Sequence, residues 1–357
     1  MAVHFHSLQI KQVKKETPQS VSISFIIPAH LQEVFSFREG QNLTLKAQIN
    51  GEEIRRSYSL CTAPHQGEVK VAIKQVEGGL FSNYAATLKP GDMLEVLPPV
   101  GRFNAKQQDA TRHLAIAAGS GITPIISIIS HILHTDPQSS CTLLYGNQNR
   151  QNIIFFEELE ALKNKYMHRL QLIYILSREK TDTPLNYGRI DAEKLKELQH
   201  FIPFNLFHNV YLCGPQQMIE ACNAFLQQAG IAKKNIHFEL FTTPGQSMVQ
   251  QSKTAIAPEK TEGTQSMVNI KLDGRMLQFS LPQNGMSILD AALQQGADLP
   301  YACKGGVCCT CRARLVSGKV SMDVNYALEE EELANGFILT CQSHPTTQEV
   351  SIDFDVK

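Results

Sequence analysis

The sequence predicts a multidomain fold: an antiparallel β-barrel, an α/β domain built on a parallel sheet, and a small α+β domain. Three observations support this prediction. Short alternating strands separated by turns come first, apolar strands alternating with helical segments follow, and four regularly spaced cysteines lie near the carboxyl end. The 357 residues are enough for two or three cores. We predict domains at residues 1–106, 107–243 and 267–357, with a polar linker at 244–266.

The first predicted domain carries a candidate flavin motif, R-S-Y-S, at residues 56–59. Arg56 offers a charged fork for a pyrophosphate, Tyr58 a flat ring for an isoalloxazine, and Ser59 a hydroxyl for a ring nitrogen. A strand with an exposed arginine and a half-buried tyrosine is the alternative. The flavin interpretation is supported by G-G-L-F-S-N at residues 78–83, where glycines precede a helix. We expect Ser82 to cap this helix. Free amides at such a helix start can bind an anion, although ordinary capping is the alternative.

The second predicted domain has turns typical of dinucleotide sites at the ends of its strands. The run G-S-G-I-T-P follows the apolar strand 114–118, and C-G-P closes the apolar strand 209–212. The first run is not the full G-x-G-x-x-G fingerprint, and the second alone is only a turn. Because ligands bind at the carboxyl ends of parallel strands, the two runs together favour a dinucleotide site.

Cofactor preference depends on two residues that follow the predicted strand 170–176. Ser177 and Arg178 offer a hydroxyl and a guanidinium, which suit the 2′-phosphate dianion of NADPH. An arginine exposed to water at a strand end is the alternative, so NADH stays open as the donor.

Four cysteines near the carboxyl end have the spacing of a plant-type [2Fe–2S] ligand set. Cys303, Cys308, Cys311 and Cys341 are arranged as C-x4-C-x2-C-x29-C, and glycines in the loop allow backbone amides to turn toward the sulfurs. A structural zinc site is the alternative, but such sites usually combine two short C-x2-4-C pairs. Cys309 lies inside the loop, and we predict that it does not bind iron because the ligand frame is complete without it.

Composition narrows the classes of partner. A net charge of −1 with 19% charged residues gives no basic excess, so we expect no nucleic-acid partner. The apolar stretch 114–130 is interrupted by Gly119, Gly121 and Pro124, which argues against a membrane helix. The first residues lack a basic segment followed by an apolar one, so we expect a cytoplasmic protein whose nine cysteines are reduced or metal-bound.

In their order along the chain, these motifs resemble the ferredoxin–NADP reductase superfamily with a plant-type ferredoxin fused at the carboxyl end. The resemblance covers nearly the whole chain and implies a β-grasp fold for the last domain. Segments 301–308, 322–328 and 339–342 further resemble the reductase subunits of phenylacetyl-CoA epoxidases.

The resemblance also implies the site residues. It implies catalytic roles for Tyr58, Ser59, Thr123 and Cys213, with Thr123 near the flavin–nicotinamide junction. Phe241 is expected near the flavin edge, and a core aromatic is the alternative. The implied ligands of FAD and NADPH are Arg56, Tyr58, Ser59, Lys74, Gly79, Ser82, Asn83, Gly119, Gly121, Thr123, Ser177, Arg178, Cys213, Gly214, Pro215 and Phe241.

The implied function is an NADPH-dependent reductase that passes electrons through FAD and the [2Fe–2S] cluster to an oxygenase component. The resemblance favours a transient complex with a di-iron oxygenase acting on an aromatic CoA thioester. A reductase of a Rieske-type or other hydroxylase that uses NADH is one alternative, and a [2Fe–2S] redox sensor is another. The four glutamates at 329–332 predict a solvated helix face, or alternatively a docking patch for the acceptor.

Overall fold

The amino-terminal strands form an antiparallel sheet that closes on itself. The computed structural model describes residues 4–106, 111–241 and 264–356. Within residues 4–106 the six strands are β1 (His6–Thr17), β2 (Ser20–Ile26), β3 (Asn42–Ile49), β4 (Glu52–Ser59), β5 (Lys70–Lys74) and β6 (Met93–Val96). They pair in the order β4-β3-β6-β1-β2-β5, and a bridge from Leu60 to Val71 joins the two edges. The predicted barrel is therefore confirmed, with a core of alternating apolar side chains such as Leu8, Ile10 and Ile23.

A parallel sheet follows within residues 111–241. Its five strands are β7 (Arg112–Ala118), β8 (Ser140–Asn147), β9 (Leu170–Leu176), β10 (Asn209–Gly214) and β11 (Ile236–Leu240), in the order β11-β10-β7-β8-β9. The short helix α1 (Leu80–Ala85) belongs to the barrel, and the helices of this sheet are α2 (Ile122–Thr135), α3 (Phe156–Lys165), α4 (Ala192–Leu198) and α5 (Gln216–Gln228). The strand order reverses direction between β7 and β10, so their carboxyl ends form a topological switch point.

The apolar stretch 114–130 is divided between strand β7 and helix α2, as its glycines predict. In the part of the chain that the structure describes, no helix is long and apolar enough to span a bilayer.

The last described segment, residues 264–356, is a mixed sheet with a helix packed on it. Its strands are β12 (Gln265–Leu272), β13 (Arg275–Pro282), β14 (Arg312–Ser317), β15 (Val320–Met322), β16 (Phe337–Leu339), β17 (Ser343–Pro345) and β18 (Glu349–Asp353), and its helices are α6 (Ile288–Gln294) and α7 (Glu330–Ala334). The order of the main sheet is β13-β12-β18-β14-β16, while β15 pairs with β17. Ser287 caps α6 by accepting the Asp290 N–H.

The predicted linker and the predicted glutamate face differ from the structure in part. Residues 244–263 of the linker lie outside the described residues. Strand β12 already begins at Gln265, where the buried Ser266 hydroxyl donates to the Thr347 carbonyl at 2.6 Å. Glu332 is not solvated: it is 2% exposed and pairs with Arg312 at 2.6 Å. The run of four glutamates therefore did not predict the burial of Glu332, which depends on Arg312, twenty positions earlier in the chain.

The chain folds into two compact units. One comprises residues 6–54 and 58–241, and so includes most of the barrel with the whole parallel sheet. The other comprises residues 1–5, 55–57 and 242–357. The three-domain boundaries given above stay a prediction.

Candidate redox-cofactor sites

The two glycine-containing turns of the parallel sheet meet at its switch point. A Cβ atom added to Gly121 would lie 2.2 Å from the Cys213 carbonyl oxygen and 2.9 Å from the Gly214 nitrogen. Those distances leave room for hydrogen only, so any larger residue would force β10 away from the start of α2. The predicted runs G-S-G-I-T-P and C-G-P are thus brought into direct contact at the switch point.

Two side chains hold the first of these turns in shape. Gly119 has a left-handed φ of +55°, and its carbonyl accepts the Tyr145 hydroxyl at 2.9 Å. The buried Thr123, in the first turn of α2, donates its hydroxyl to the Ser120 carbonyl at 3.1 Å. Thr123 therefore braces the turn beside the Gly121–Cys213 contact, and its role at a flavin–nicotinamide junction stays a prediction.

Ser59 and Glu239 form a hydrogen-bonded pair beside the Gly121–Cys213 contact. The buried Ser59 hydroxyl, at the end of β4, donates to Glu239 Oε2 at 3.1 Å. Glu239 lies on β11 directly opposite Cys213 on β10. Burial raises the pKa of Glu239 to about 7, although the hydrogen bond from Ser59 acts in the opposite direction. The arrangement provides a carboxyl that can gain or lose a proton near neutral pH.

Glu239 is a functional candidate that the sequence motifs missed. The available signal was an acidic residue inside the short apolar strand I-H-F-E-L, two positions before Phe241. Phe241 itself is partly buried and packs against the core of the parallel sheet. Both the flavin-edge role and the core role of Phe241 are compatible with that position.

Two barrel side chains lie close to the predicted cofactor motifs: Lys74 is near the Gly119 turn, and Tyr58 contacts helix α1. A Cβ added to Gly119 would lie 3.6 Å from Lys74 Nζ, so an ammonium group stands over the glycine turn. Burial lowers the pKa of Lys74. Tyr58 is half-buried and packs on Phe81 of α1, with ring centroids 5.7 Å apart. The R-x-Y-S and G-G-L-F-S-N motifs are therefore neighbours through these two rings.

The predicted capping role of Ser82 is wrong. Helix α1 begins at Leu80, Gly79 is its N-cap residue, and Gly79 has no side chain to cap it. The Ser82 hydroxyl instead accepts the Val76 N–H at 3.1 Å and donates to the Gly79 carbonyl at 3.2 Å. A Cβ on Gly79 would lie only 2.6 Å from that hydroxyl, so the glycine is needed for the turn. The exposed Asn83 donates to the Val76 carbonyl at 3.3 Å.

The remaining predicted nucleotide ligands lie at strand ends or on β4. Ser177 donates its N–H to the Asn147 carbonyl at 2.9 Å, and the exposed Arg178 donates its N–H to the Gln148 carbonyl at 2.8 Å. These bonds fix the backbone after β9 and leave the Arg178 guanidinium directed to the surface. Pro215 is the exposed N-cap residue of α5, after Gly214. Arg56 is half-buried and donates from Nη1 to the Arg55 carbonyl at 2.8 Å.

The four predicted iron ligands interact as two pairs. Cys303 interacts most strongly with Cys308, and Cys311 interacts most strongly with Cys341. The interaction with Cys308 and the backbone N–H groups around the sulfur, such as that of Gly305 at 3.3 Å, lower the pKa of Cys303. Charge interactions also connect Cys303 with Cys341 and Cys308 with Cys311.

Among the described residues, no group of three or more His, Cys, Asp or Glu side chains has the geometry to hold a metal ion. The close pairs nevertheless fit a cluster in which each of two irons takes two thiolates, better than a single ion that needs four ligands around one point. The loop geometry agrees with this fit. Gly306 has a φ of +73°, and a Cβ there would lie 3.0 Å from Val324 Cγ2.

Cys309 is engaged outside this set. It has a left-handed φ of +55°, and its thiol donates to the Ala327 carbonyl at 3.1 Å. Its exclusion from the iron ligands stays a prediction, which this contact supports.

Comparisons with known proteins assign a domain type to each part of the chain. Residues 7–105 match the oxidoreductase FAD-binding domain, residues 115–224 the oxidoreductase NAD-binding domain, and residues 270–346 the 2Fe-2S iron-sulfur cluster binding domain. Each match coincides with one of the three sheets.

Relatives match over almost the whole length. The chain is 47% identical to a subunit of 1,2-phenylacetyl-CoA epoxidase from Escherichia coli (strain K12), over 99% of this chain and 98% of that protein. It is 32% identical to the ferredoxin reductase component of 3-ketosteroid-9-alpha-monooxygenase of Rhodococcus rhodochrous, over 97% and 96% of the two chains. The solved structure of phthalate dioxygenase reductase covers 98% of each chain with a TM-score of 0.55 at 22% identity, which is a likeness of fold.

Proposed function

The chain belongs to the family of FAD- and NAD-binding oxidoreductases with a [2Fe–2S] domain that includes this 1,2-phenylacetyl-CoA epoxidase component, and from this premise we propose that it is the NADPH-dependent reductase of a di-iron oxygenase. The oxygenase would act on an aromatic CoA thioester. The observation that carries the proposal is the presence, in one chain, of a close contact between Gly121 and Cys213 at the switch point of a parallel sheet and of a two-pair cysteine site.

The order of electron transfer follows from the number of electrons that each group handles. A nicotinamide gives two electrons as a hydride and a [2Fe–2S] cluster passes one, so a flavin, which exchanges either number, belongs between them. The protein contributes binding and orientation. In this proposal Tyr58 supports the flavin ring, while Arg56 and residues 79–83 hold its pyrophosphate.

At the switch point, this chain's groups position the reacting ring and handle protons. The close contact between Gly121 and Cys213 holds the start of α2 against β10 beside the buried Thr123, and in this proposal the nicotinamide would bind at this edge of the sheet. Ser59 and Glu239 supply a hydroxyl and a carboxyl whose pKa is about 7, so the pair can hold or release a proton at physiological pH. The Lys74 ammonium adds positive charge next to the Gly119 turn, which favours an anionic group there.

The preference for NADPH rests on the chemistry of Ser177 and Arg178. Both follow β9 at the carboxyl edge of the sheet, where the adenosine half of a dinucleotide lies in this type of fold. A hydroxyl and a guanidinium together can bind a 2′-phosphate through charge-assisted hydrogen bonds.

An anaerobic titration tests the proposal. NADPH and NADH are added separately to the purified protein while absorbance follows flavin and cluster bleaching. We expect both chromophores to be reduced, and NADPH to act at lower concentration. Sustained NADPH-dependent reduction of a one-electron acceptor would separate a reductase from a redox sensor, since a sensor needs no turnover. A flavin that bleaches while the cluster stays oxidised would contradict the electron path.

The acceptor is tested by reconstitution with purified oxygenase components. We expect product from a di-iron epoxidase component given an aromatic CoA thioester. The second candidate is a reductase of another monooxygenase that uses NADH, which is favoured by the 32% identity to the 3-ketosteroid-9-alpha-monooxygenase reductase component. Coupling to such a monooxygenase, with no coupling to the epoxidase component, would decide for that candidate.

A further inference from the structure

The side chain of Gln342 connects the two segments that supply the four cysteines. Its Nε2 donates to the Lys304 carbonyl at 2.9 Å and to the Cys341 carbonyl at 3.0 Å. The same atom lies 3.6 Å from the sulfur of Cys341, within hydrogen-bond distance for sulfur. Because the amide has only two N–H groups, the Cys341 sulfur shares one of them with the carbonyl of its own residue, and the group connects the cysteine loop with the distant cysteine segment.

Gln342 is held in this position by its own backbone. Its N–H donates to the Leu339 carbonyl at 2.9 Å, and its carbonyl accepts the Asp323 N–H at 2.9 Å. A Cβ added to Gly306 would lie 3.3 Å from Gln342 Cγ, so the stem of the side chain packs against this glycine.

The carbonyl that Gln342 fixes belongs to a strained residue. Lys304 has a left-handed φ of +51°, which is unfavourable for a residue other than glycine and persists only when its surroundings impose it. Its ammonium pairs with Asp290 on α6 at 2.7 Å. Gln342 therefore fixes the backbone of this residue while Asp290 fixes its side chain.

Hydrogen bonds to ligand sulfurs stabilise the reduced, more negative state of an iron–sulfur cluster and so raise its reduction potential. We propose that Gln342 is a positioning residue that holds the 303–311 loop and raises the reduction potential of the [2Fe–2S] cluster through its contact with Cys341. The inference rests on the cysteine ligand set of the proposed function. It makes this cluster a better acceptor for electrons from the flavin.

The test replaces Gln342 with a side chain of similar length that has no donor. In Gln342→Met, we expect a loaded cluster whose ratio of reduced to oxidised form, at a fixed solution potential, falls about three- to tenfold. Redox titration followed by EPR measures this ratio, and the flavin in the same sample serves as an internal reference that does not shift. Iron and sulfide analysis confirms loading.

The matched control is Asn325→Leu. Asn325 braces the same region by bonding both the N–H and the carbonyl of Leu328, at 2.9 and 3.1 Å, and neither bond involves a cysteine sulfur. We expect this variant to unfold at lower temperature with an unchanged cluster potential. If Gln342→Met also shows only a lower unfolding temperature, the residue is structural and the proposal is overturned.

If Gln342→Met does not incorporate a cluster, a measurement on the wild-type protein still tests the proposal. Labelling glutamine side chains with 15N is expected to change the nitrogen couplings in the pulsed EPR spectrum of the reduced cluster. A loaded cluster with no glutamine coupling would overturn the proposal. A wild-type protein without any cluster would instead contradict the proposed function.

Discussion

The Ser59 hydroxyl donates to Glu239 Oε2 at 3.1 Å, and this bond joins the last residue of a barrel strand to an edge strand of the parallel sheet. Glu239 is the member of the pair that titrates near neutrality, because burial raises its pKa to about 7. Its charge state therefore changes over the pH range in which the enzyme is expected to work.

The first prediction concerns pH and stability. The pKa of Glu239 is raised from 4.5 to about 7 on folding, so the native state holds its proton at pH values where the unfolded chain has lost it. Stability should therefore fall as pH rises from about 4.5 to 7, by on the order of 3 kcal/mol, and this loss should stay constant above pH 7. Glu239→Gln should remove the loss, so its advantage over wild type in denaturant unfolding is larger at pH 8 than at pH 5.

The same pair predicts a kinetic effect. If Glu239 handles a proton during flavin reduction, the rate of bleaching by NADPH should show an inflection near pH 7 that Glu239→Gln abolishes. Ser59→Ala is the matched variant: it removes the bond that lowers the pKa of Glu239, so the inflection should move to higher pH. An inflection that both variants leave in place would assign it to another group.

A second prediction tests the close contact at the switch point. Gly121→Ala would place a methyl group 2.2 Å from the Cys213 carbonyl oxygen, so we expect at least tenfold weaker NADP⁺ binding and a stability loss of about 2–3 kcal/mol. Gly146→Ala at the end of β8 is the control, because its methyl group would meet the flexible end of Ile190 at 3.1 Å. Calorimetry and thermal unfolding measure both variants, and equal behaviour would contradict the contact.

A third prediction concerns the nicotinamide donor. Removing one guanidinium bond to a phosphate costs about 1.4 kcal/mol or more, so Arg178→Ala should raise the KM for NADPH about tenfold and leave the KM for NADH unchanged. Lys180→Ala, an exposed cation two positions later, controls for general loss of charge. Equal increases for both donors in Arg178→Ala would exclude a phosphate contact.

The sequence was enough to predict the local turns, but it did not predict contacts between residues that are distant along the chain. The glycines at 119 and 121 could be predicted because a tight turn between an apolar strand and a helix requires them. Glu239 could not, since its partner Ser59 is 180 positions away and only the register of β10 and β11 sets it beside Cys213. The predicted cap at Ser82 failed for a local reason: α1 begins at Leu80, so Ser82 lies inside the first turn, where its hydroxyl accepts the Val76 N–H.

A fourth prediction separates the two adjacent cysteines of the loop. Cys308→Ser should abolish the cluster absorbance and EPR signal, because each iron needs two thiolates. Cys309→Gly should keep both signals and stability close to wild type. The lost thiol bond to the Ala327 carbonyl is offset by relief of a left-handed φ of +55°. Loss of the cluster in Cys309→Gly, with retention in Cys308→Ser, would reverse the assignment.

The last prediction concerns the ion pair behind the cysteine loop. Arg312 follows Cys311 directly, stacks its guanidinium 4.3 Å from the centre of the Phe337 ring, and pairs with the buried Glu332 at 2.6 Å. Glu332→Gln leaves Arg312 with a neutral partner in a desolvated site, so we expect a stability loss of about 3 kcal/mol and loss of the cluster signal at a lower temperature. Glu330→Gln changes an exposed residue of the same helix and should alter stability by less than about 0.5 kcal/mol. If the two variants unfold at the same temperature, the Arg312–Glu332 pair does not stabilise the structure around the cluster.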